Sequence, residues 1–258
     1  MSKFDKMMVS FQENIASEIN QVVDCIKDKF ISNRGKGAIL GMSGGIDCCV
    51  VARLLQEADV PVLLVKMPYG KSMEFAGDNA DADIFISKFN FKSMTLDITE
   101  EVDLMVNKIK NQNIELTEMA RANIMPRVRM INLYAIGQTY DYRVVGTGNL
   151  SEITMGYFTK WGDGGSDFNP LAGFTKTEVR VMARYLGIPE NIIVKAPSAN
   201  LWENQTDEDE MGMTYAVLDR YILTGEGSED VMDKVERTKK MVAHKNKPIP
   251  IYERKHIA

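Results

Sequence analysis

The feature that most constrains the fold is an alternation of short apolar segments with longer amphipathic ones between residues 38 and 146. The apolar segments are short and bounded by glycine, proline or polar turns, which predicts β-strands. Strands joined by helical segments imply βαβ crossovers, in which the sheet is parallel and covered on both faces. We therefore expect an α/β fold, a single-domain Rossmann-like parallel sheet flanked by helices. The predicted strands are 38–42, 62–67, 92–96 and 142–146, and the predicted helices are 46–56, 78–89, 101–110 and 117–139.

Both ends of the chain are predicted to be helical. Apolar residues recur at three- and four-residue spacing over residues 3–32, which is typical of an amphipathic helix. Beyond residue 171 the pattern is mostly helical, with predicted helices at 176–185, 206–221 and 229–242. The sequence contains no internal repeat or low-complexity linker. The predicted organisation is one domain over 1–258, with an N-terminal helix at about 3–32, a nucleotide-binding core at about 37–200 and a helical C-terminal part at about 205–245.

Charge and cysteine content restrict the classes of partner. The formal net charge is -5, whereas a nucleic-acid surface needs a concentrated basic face, so we expect no nucleic-acid partner. The chain has three cysteines, Cys25, Cys48 and Cys49. This odd number, without the paired spacing of a metal site, favours reduced thiols. Acidic residues interrupt the N-terminal pattern, and no apolar run approaches the ~18 residues of a membrane span. The expected localisation is cytoplasmic, with no membrane partner.

The turn after the first predicted strand, Ser43-Gly44-Gly45-Ile46-Asp47, is the strongest candidate for a phosphate site. Glycine lets the backbone approach an anion and adopt positive φ, and the amides that open the next helix attract phosphate. The sequence lacks the G-x-x-x-x-G-K-[ST] pattern of a Walker loop. The segment from Val145 to Gly148 begins like a dinucleotide fingerprint, but Ser151 stands where the last glycine belongs. On this pattern alone, a turn that merely closes a strand–helix connection is the alternative.

A second constellation follows the fourth predicted strand. The segment from Gly146 to Glu152 would lie at the carboxyl end of the sheet, where α/β folds place their ligands. Glu152 can then pair with Asp47, which follows the first strand at the same end. Two carboxylates suit Mg²⁺, which otherwise takes phosphate oxygens and water. The alternative is a pair of unrelated surface acids.

Several motifs occur in an order that carries a family resemblance. The turn at 43–48 resembles the S-G-G-x-D-S signature of ATP pyrophosphatases, with Cys48 in place of the last serine. Further motifs follow: N-x-x-x-R-x-R-M-x-x-L-Y at 123–134, GTGNxSE at 146–152, G-Y-x-T-K-x-G-D-G-x-x-D at 156–167, P-S-A-x-L-W at 197–202 and Q-T-D-E at 205–208. Together they resemble the ammonia-dependent NAD synthetases, a family of the PP-loop superfamily with an adenine nucleotide alpha hydrolase-like fold. The sequence departs from the family pattern at Cys48, Met125-Pro126 and Asn204.

The resemblance implies a reaction and its partners. The nicotinate carboxylate of deamido-NAD would attack the α-phosphate of ATP and release pyrophosphate, and ammonia would then convert the acyl-adenylate to the amide of NAD and release AMP. ATP is the implied co-substrate, Mg²⁺ the implied cofactor and a homodimer the implied assembly. Glutamine is not expected as the direct nitrogen donor, because a glutaminase needs a further domain.

The resemblance also implies roles for individual residues. The implied ATP site comprises Gly41, Met42, Ser43, Gly44, Gly45, Ile46, Asp47, Cys48, Thr147, Lys176 and Ser198. The implied deamido-NAD site comprises Asn123, Arg129, Tyr134, Lys160, Asp163, Asp167, His244 and Lys245. Asp47 and Glu152 would hold Mg²⁺. Lys176 would stabilise charge on the α-phosphate, Asp163 would orient or deprotonate ammonia, and segments 69–77 and 199–208 would act as lids.

Two rival functions stay open on the sequence. One is another ligase of the ATP pyrophosphatase superfamily that activates a different carboxylate. The other is a nucleotide-binding paralogue without activity, in which Cys48 marks the loss of function. The presence of Asp47, Glu152 and Lys176 argues against the second rival, because loss of activity should first remove acids and bases.

Overall fold

The computed structural model describes residues 1–33, 35–70, 73–197 and 206–252, with side chains described outside 30–33 and 73–79. The chain folds around a parallel sheet of four strands in the order β3-β2-β1-β4. Ala38 of the first strand lies opposite Val62 of the second and Arg143 of the fourth. The strands are β1 (Gly37–Gly41), β2 (Val62–Lys66), β3 (Lys92–Thr95) and β4 (Tyr142–Val144). The predicted α/β class with a parallel sheet is confirmed.

Helices cover both faces of this sheet. Their bounds in the described residues are α1 (Lys3–Glu13), α2 (Ile15–Asn33), α3 (Ile46–Glu57), α4 (Met73–Phe89), α5 (Thr99–Lys110), α6 (Glu118–Ala122), α7 (Ile124–Tyr140), α8 (Leu150–Met155), α9 (Lys176–Tyr185), α10 (Glu190–Val194), α11 (Asp207–Met211), α12 (Tyr215–Thr224) and α13 (Glu229–Asn246). The short helices α8 and α10 were not predicted. In these parts of the chain, no helix combines the length and apolarity needed to cross a membrane.

Strand β1 lies at the centre of the core. Ala38, Ile39 and Leu40 are all 0% exposed. Successive strand residues point to opposite faces, so Ala38 and Leu40 pack with α2, α3 and α9, whereas Ile39 packs with α5 and α7. Burial on both faces explains the uninterrupted apolar pattern of this segment. A third cluster lies apart from the sheet and joins α8, α11, α12 and α13 through Met155, Met211, Tyr215, Leu218 and Val235.

The N-terminal segment forms two helices, so the prediction of one helix over 3–32 was wrong. The break is at Asn14, whose backbone has φ -101° and ψ 9°. Its side-chain amide donates to the carbonyl of Ser10 at 2.8 Å. A short polar side chain that bonds to a nearby carbonyl competes with helix continuation, which periodicity does not reveal.

The predicted helix 117–139 is likewise divided, into α6 and α7, which meet at Asn123. Pro126 explains the break. In a continuous helix its ring would clash with the carbonyl of Ala122, and its missing N–H would leave that carbonyl unpaired. A new helix that begins at Ile124 places Pro126 in its first turn, where proline is tolerated.

The predicted helix 206–221 is divided too. Gly212 ends α11 with a φ of +60°, and Thr214 then caps α12 by accepting from the amide of Val217. A glycine in the left-handed region is a common end of a helix.

Candidate active site

Two loops meet at the carboxyl end of the sheet, where the strand order reverses. Strand β1 leads into α3, and its neighbour β4 leads into α8. A reversal of this kind opens a crevice between the two connections, and open α/β sheets bind ligands there. A cavity of about 740 Å³ occupies this position. The predicted ATP-site residues on its wall are Gly41, Met42, Ser43, Gly45, Ile46, Asp47, Cys48, Thr147 and Lys176.

The glycine turn has the geometry of an anion site. Gly44 has a φ of +87°, which disfavours any residue with a Cβ, although Gly44 is not on the cavity wall. Gly45 is the N-cap of α3 and makes no side-chain hydrogen bond there. Because the first amides of a helix need partners, an anion can take the place of the missing cap.

Cys48 lies in the first turn of α3, directly after the glycine turn. Its Sγ donates to the carbonyl of Gly45 at 3.0 Å and lies 3.4 Å from Oγ of Ser43. Hydrogen bonding from Cys49, followed by that from Ser43 and Gly44, outweighs burial and lowers the pKa of the Cys48 thiol to about 7. Both thiols are buried and free of disulfides. Both thiols therefore belong to the buried core, and Cys48 also contacts the glycine turn through Ser43 and Gly45.

Asp47 and Glu152 share one cation, the ammonium of Lys176. Its Nζ lies 2.5 Å from Oδ2 of Asp47 and 3.2 Å from Oε1 of Glu152. The Lys176 side chain is 3% exposed. Asn149 adds a hydrogen bond from Nδ2 to the other oxygen of Asp47, at 3.0 Å. The two acids that follow separate strands are thus close enough to bind a single ion.

Burial and charge act in opposite directions on these groups. Burial raises the pKa of Glu152 to about 7; the charge of Lys176 opposes this rise and that of Asp47 adds to it. Burial alone would lower the pKa of Lys176, but the adjacent Asp47 and Glu152 outweigh it, and the pKa of Lys176 rises. Lys176 is therefore a permanent positive charge at the bottom of the cavity.

Helix capping fixes where Glu152 lies. Asn149 is the N-cap of α8, and its Oδ1 accepts from the amide of Glu152, whose Oε2 accepts in return from the amide of Asn149. This reciprocal pair is a capping box. One carboxylate oxygen of Glu152 is thus held by its own helix and the other by Lys176.

The far side of the cavity carries four predicted substrate residues, Asn123, Arg129, Asp163 and Lys245. Nε of Arg129 donates to the carbonyl of Met67 at 3.1 Å. The amide of Thr159 donates to Oδ1 of Asp163 at 2.9 Å. Desolvation raises the pKa of Asp163, and the amide of Thr159 and the charge of Lys245 oppose this rise. The residue as a whole is exposed.

Four other predicted substrate residues lie off the cavity wall and have structural contacts. Tyr134 donates to Oδ1 of Asp167 at 3.1 Å, and Oδ2 of Asp167 accepts from the amide of Val144 at 2.9 Å. Nζ of Lys160 donates to the carbonyl of His244 at 2.6 Å. Their substrate roles stay predictions. Ser198 and the lid residues 199–205 lie outside the described residues, as do residues 71 and 72 of the other predicted lid.

Comparison with known proteins gives this arrangement its context. A family model described as NAD synthase matches residues 18–254. The chain is also 42% identical to the NH(3)-dependent NAD(+) synthetase of Carboxydothermus hydrogenoformans, over 93% of this chain and 97% of that protein. The chain belongs to the NAD synthase family. The resemblance inferred from the order of the motifs is confirmed.

Solved structures of the NAD synthase family and its relatives share the fold. The NMN synthetase of Francisella tularensis is 32% identical and superposes with a TM-score of 0.87, over 92% of this chain and 98% of that one. The NH3-dependent NAD synthetase of Campylobacter jejuni, solved with a nitrate ion, is 28% identical with a TM-score of 0.74, over 91% and 97%.

Three buried residues of the cavity region were missed by sequence reasoning. Asn149 carried the signal of a capping box, an asparagine three residues before a glutamate. Asp207 lines the cavity, is 4% exposed, and accepts through Oδ2 from the hydroxyl of Tyr215 at 2.9 Å, while its Oδ1 has no partner among the described residues. Tyr215 is fully buried beside Lys176, with Nζ 5.2 Å from the ring centre. Asp207 was noted only as a member of the Q-T-D-E motif and of the predicted lid, without a role of its own, and no local pattern distinguished Tyr215 from an ordinary helix residue.

Proposed function

We propose that this member of the NAD synthase family catalyses the ATP-dependent amidation of deamido-NAD with ammonia, giving NAD, AMP and pyrophosphate. The observation that carries the proposal is the convergence of Asp47, Glu152 and Lys176 beside a glycine turn, in a cavity at the point where the strand order reverses. The names of the curated relatives support the same activity. Family membership favours this function over the two rivals.

A carboxylate must be activated before ammonia can displace an oxygen from it. A carboxylate oxygen of the nicotinate attacks the α-phosphorus of ATP, the bond to the bridging oxygen breaks, and pyrophosphate leaves. Ammonia then attacks the acyl carbon, a proton is lost, and AMP leaves with the former carboxylate oxygen. Catalysis of both steps rests on positioning and on stabilisation of developing negative charge.

The first step draws on the groups around the turn. The amides at the start of α3 and the turn from Ser43 to Gly45 face the β- and γ-phosphates. Lys176 supplies the positive charge for the α-phosphate, since its ammonium stays charged. This role requires its Nζ to leave Asp47 and Glu152 when the nucleotide binds.

Asp47 and Glu152 fit Mg²⁺, which binds hard oxygen donors and completes its shell with phosphate oxygens and water. Among the described residues no group of three acidic, histidine or cysteine side chains forms a metal site; the proposal assigns two protein ligands to the ion. Lys176 already forms ion pairs with both acids from the position between them. When bound, Mg²⁺ would neutralise charge on the departing pyrophosphate.

The second step draws on the opposite wall. Asp163 accepts from the amide of Thr159 and lies near the positive charges of Lys245 and Arg129. We assign it the orientation or deprotonation of ammonia. Asn123, Arg129 and Lys245 are the wall residues assigned to the dinucleotide, with Tyr134, Lys160, Asp167 and His244 kept as predicted contacts at its outer end.

A second candidate acid is the mononucleotide that corresponds to NMN. The observation in its favour is the TM-score of 0.87 with the NMN synthetase of Francisella tularensis, against 0.74 with the NAD synthetase of Campylobacter jejuni. Both acids present the same nicotinate carboxylate to the same activation chemistry. The difference between them lies in whether the wall beyond the reacting end accepts an adenylate moiety.

We further propose a homodimer and a single domain over the whole chain. Helix α7 supports the dimer, because it exposes Ile131 (61%), Tyr134 (40%) and Tyr140 (57%) to solvent. An exposed apolar surface of this kind is typical of an interaction site. The free thiols and the need for ATP support the cytoplasm as the compartment.

One assay separates these functions. The protein is mixed with ATP, Mg²⁺, ammonium and either deamido-NAD or the mononucleotide acid, and amide and pyrophosphate are measured by chromatography. We expect equal amounts of the two products, and a higher kcat/KM with deamido-NAD. A preference of about tenfold or more for the mononucleotide would favour the second candidate. ATP binding without turnover on either acid would contradict the synthetase.

Variants test the assigned metal ligands in the same assay. Asp47→Asn and Glu152→Gln should each lower kcat by about 100-fold or more, because metal-assisted charge stabilisation contributes several kcal/mol. Asp233→Asn, an exposed acid on α13, is the control and should leave kcat unchanged. Mg²⁺-dependent activity retained by both variants would refute the metal site.

A further inference from the structure

A buried carboxylate behind the active site, Asp219 of α12, joins the two helices that carry Glu152 and Lys176. Asp219 is 0% exposed and does not line the cavity. Its Oδ1 accepts from the hydroxyl of Ser151 at 2.5 Å. Its Oδ2 accepts from the backbone amide and the hydroxyl of Thr177, at 2.7 and 2.6 Å. Both oxygens are thus used, each toward a different helix start.

The partners of Asp219 are direct neighbours of the proposed catalytic residues. Ser151 precedes Glu152 in α8, and Thr177 follows Lys176 in α9. The network also closes on itself, because Oγ of Ser151 accepts from the amide of Lys176 at 3.0 Å. A displacement of Asp219 therefore moves the backbone of Glu152 and of Lys176 together.

The network also completes the N-terminus of α9. The first three amides of a helix have no partner within it. Here the amide of Lys176 donates to Ser151, that of Thr177 to Asp219 and that of Glu178 to the hydroxyl of Thr175. Two of these three acceptors come from other helices, so the start of α9 is fixed by tertiary contacts.

We propose that Asp219 is a positioning residue for the amidation reaction, which sets the distance between Glu152 and Lys176 at the bottom of the cavity. The inference rests on the proposed function. Asp219 touches neither substrate nor metal, and it acts through Ser151 and Thr177. Reacting groups tolerate little displacement, since an error of about 1 Å can lower a rate by about 100-fold.

The chemistry of the site requires a carboxylate. The amide of Thr177 is a fixed donor and demands an oxygen. In Asp219→Asn the amide oxygen would therefore face Thr177, and the NH₂ group would face Ser151. The hydroxyl of Ser151 already accepts from the amide of Lys176. It would lose Oδ1 of Asp219, which now accepts its own proton. A buried polar network with one unsatisfied member is weakened as a whole.

The decisive experiment compares three variants with the intact enzyme. Asp219→Asn removes one acceptor, and Ser151→Ala cuts the link to α8 while leaving the contact with Thr177. Leu218→Val is the matched control, because Leu218 is the buried neighbour of Asp219 on α12 and packs in the apolar cluster. For each variant we measure kcat, KM for ATP and for the acid, and unfolding in urea.

A positioning role predicts a split between the constants. In Asp219→Asn, kcat should fall by about 10- to 100-fold, while KM for the acid stays within about twofold, because the substrate wall is separate. Ser151→Ala should lower kcat in the same direction, and the double variant should lose no more than the stronger single one. Leu218→Val should lose stability and keep kcat. The proposal is overturned if kcat of Asp219→Asn is unchanged, or if it falls no more than in a control of equal stability.

Two further results keep the test decisive. If Asp219→Asn does not fold, Ser151→Ala with an unchanged kcat overturns the proposal. If the wild-type protein is inactive on both acids, the proposed function fails, and the positioning role is then judged by calorimetry of Mg²⁺ and ATP. Binding weakened about tenfold or more in Asp219→Asn, but not in Leu218→Val, would support the positioning role, and equal binding would overturn it.

Discussion

Lys176 is the residue that pairs with both acids proposed to hold Mg²⁺. Its ammonium lies between Asp47 and Glu152, where the proposed Mg²⁺ would otherwise neutralise the same two acids. Both carboxylates are largely buried, with side chains 15% and 16% exposed. Unpaired charges in such a place are strongly destabilising. The lysine therefore stabilises the protein before substrate arrives and must give up these contacts for catalysis.

Removal of this charge should destabilise the protein and sensitise it to Mg²⁺. We expect Lys176→Met to lower the free energy of unfolding by about 3 kcal/mol, the lower end for breaking a buried pair, since both acids retain some access to solvent. Mg²⁺ should then raise the melting temperature of the variant more than that of the wild type, because no ammonium competes for the acids. Thermal melts over a Mg²⁺ series measure both effects.

Lys239→Met is the control for that experiment. Lys239 pairs with Glu236 on the surface of α13, with side chains about half exposed, and such pairs contribute at most about 1 kcal/mol. An equal response of both variants to Mg²⁺ would show that Asp47 and Glu152 do not hold the ion.

Cys48 offers a second test at the residue scale. A serine hydroxyl is a stronger hydrogen-bond donor than a thiol, and one added bond contributes about 0.5–1.5 kcal/mol. We expect Cys48→Ser to lower KM for ATP by about two- to tenfold. Cys49→Ser is the control, because Cys49 is 0% exposed in the core. A serine hydroxyl there would lower the stability of the protein without improving the binding of ATP. An unchanged KM in Cys48→Ser would mean that the backbone of the turn binds the phosphates unaided.

At the scale of elements, the position of α8 depends on its contact with α13. Gly156 ends α8 with a φ of +62°, and a Cβ there would lie 2.5 Å from Cβ of Val242. The carbonyl of Gly156 also accepts from Lys245 at 2.6 Å. The helix that carries Glu152 is thus fixed at its start by Asn149 and Asp219 and at its end by α13.

A pair of glycine variants isolates this contact. Gly225 ends α12 with a φ of +73° and has no atom within 4 Å of a built Cβ. Gly225→Ala therefore measures the left-handed conformation alone, about 1–2 kcal/mol. We expect Gly156→Ala to lose a further ~1–3 kcal/mol through overpacking against Val242. Val242→Ala should restore only part of this loss, because it removes the methyl groups at 2.6 and 2.8 Å and keeps the Cβ at 2.5 Å. Urea unfolding compares the three, and equal losses for both glycines would mean that α13 yields without strain.

At the scale of the whole molecule, the proposed dimer surface and the proposed substrate wall share helix α7. This helix lines the cavity with Pro126, Arg129, Met130 and Leu133 and exposes Ile131 and Tyr134 elsewhere on its surface. One helix therefore contributes to both the substrate wall and the proposed dimer surface. Dissociation of the proposed dimer should therefore change the affinity for the acid substrate.

An added charge on α7 should separate the subunits. Ile131 is 61% exposed and Ile84, on α4, is 52% exposed. We expect Ile131→Asp to convert the dimer to a monomer in light scattering after size-exclusion chromatography, since a buried unpaired charge opposes association. Ile84→Asp should leave the mass unchanged. A monomeric wild type would remove the dimer proposal at once.

The sequence alone determined the parallel sheet, its four strands within two residues at each end, and the loops that meet at the cavity. Apolar runs and glycine turns are patterns of residues that are adjacent in the chain, so the four strands and the turn at Ser43–Asp47 could be predicted directly. The capping box of Asn149 and Glu152 was missed, although its two members are only three residues apart and carry the local signal.

Tertiary structure decided what distant residues do to one another. The breaks at Asn14 and Asn123 are exceptions, because they arise from a side chain and a proline ring acting on carbonyls four residues away, which apolar periodicity does not reveal. Lys176 was expected to contact phosphate, and the structure gives it two carboxylates as partners. Tyr215 and Asp219 carried no local signal, and Asp207 was noted only as part of the Q-T-D-E motif, because their contacts depend on burial against helices that lie far away along the chain. Burial and the hydrogen bonds it demands are properties of the packed molecule, which is why the support of the site became visible only in three dimensions.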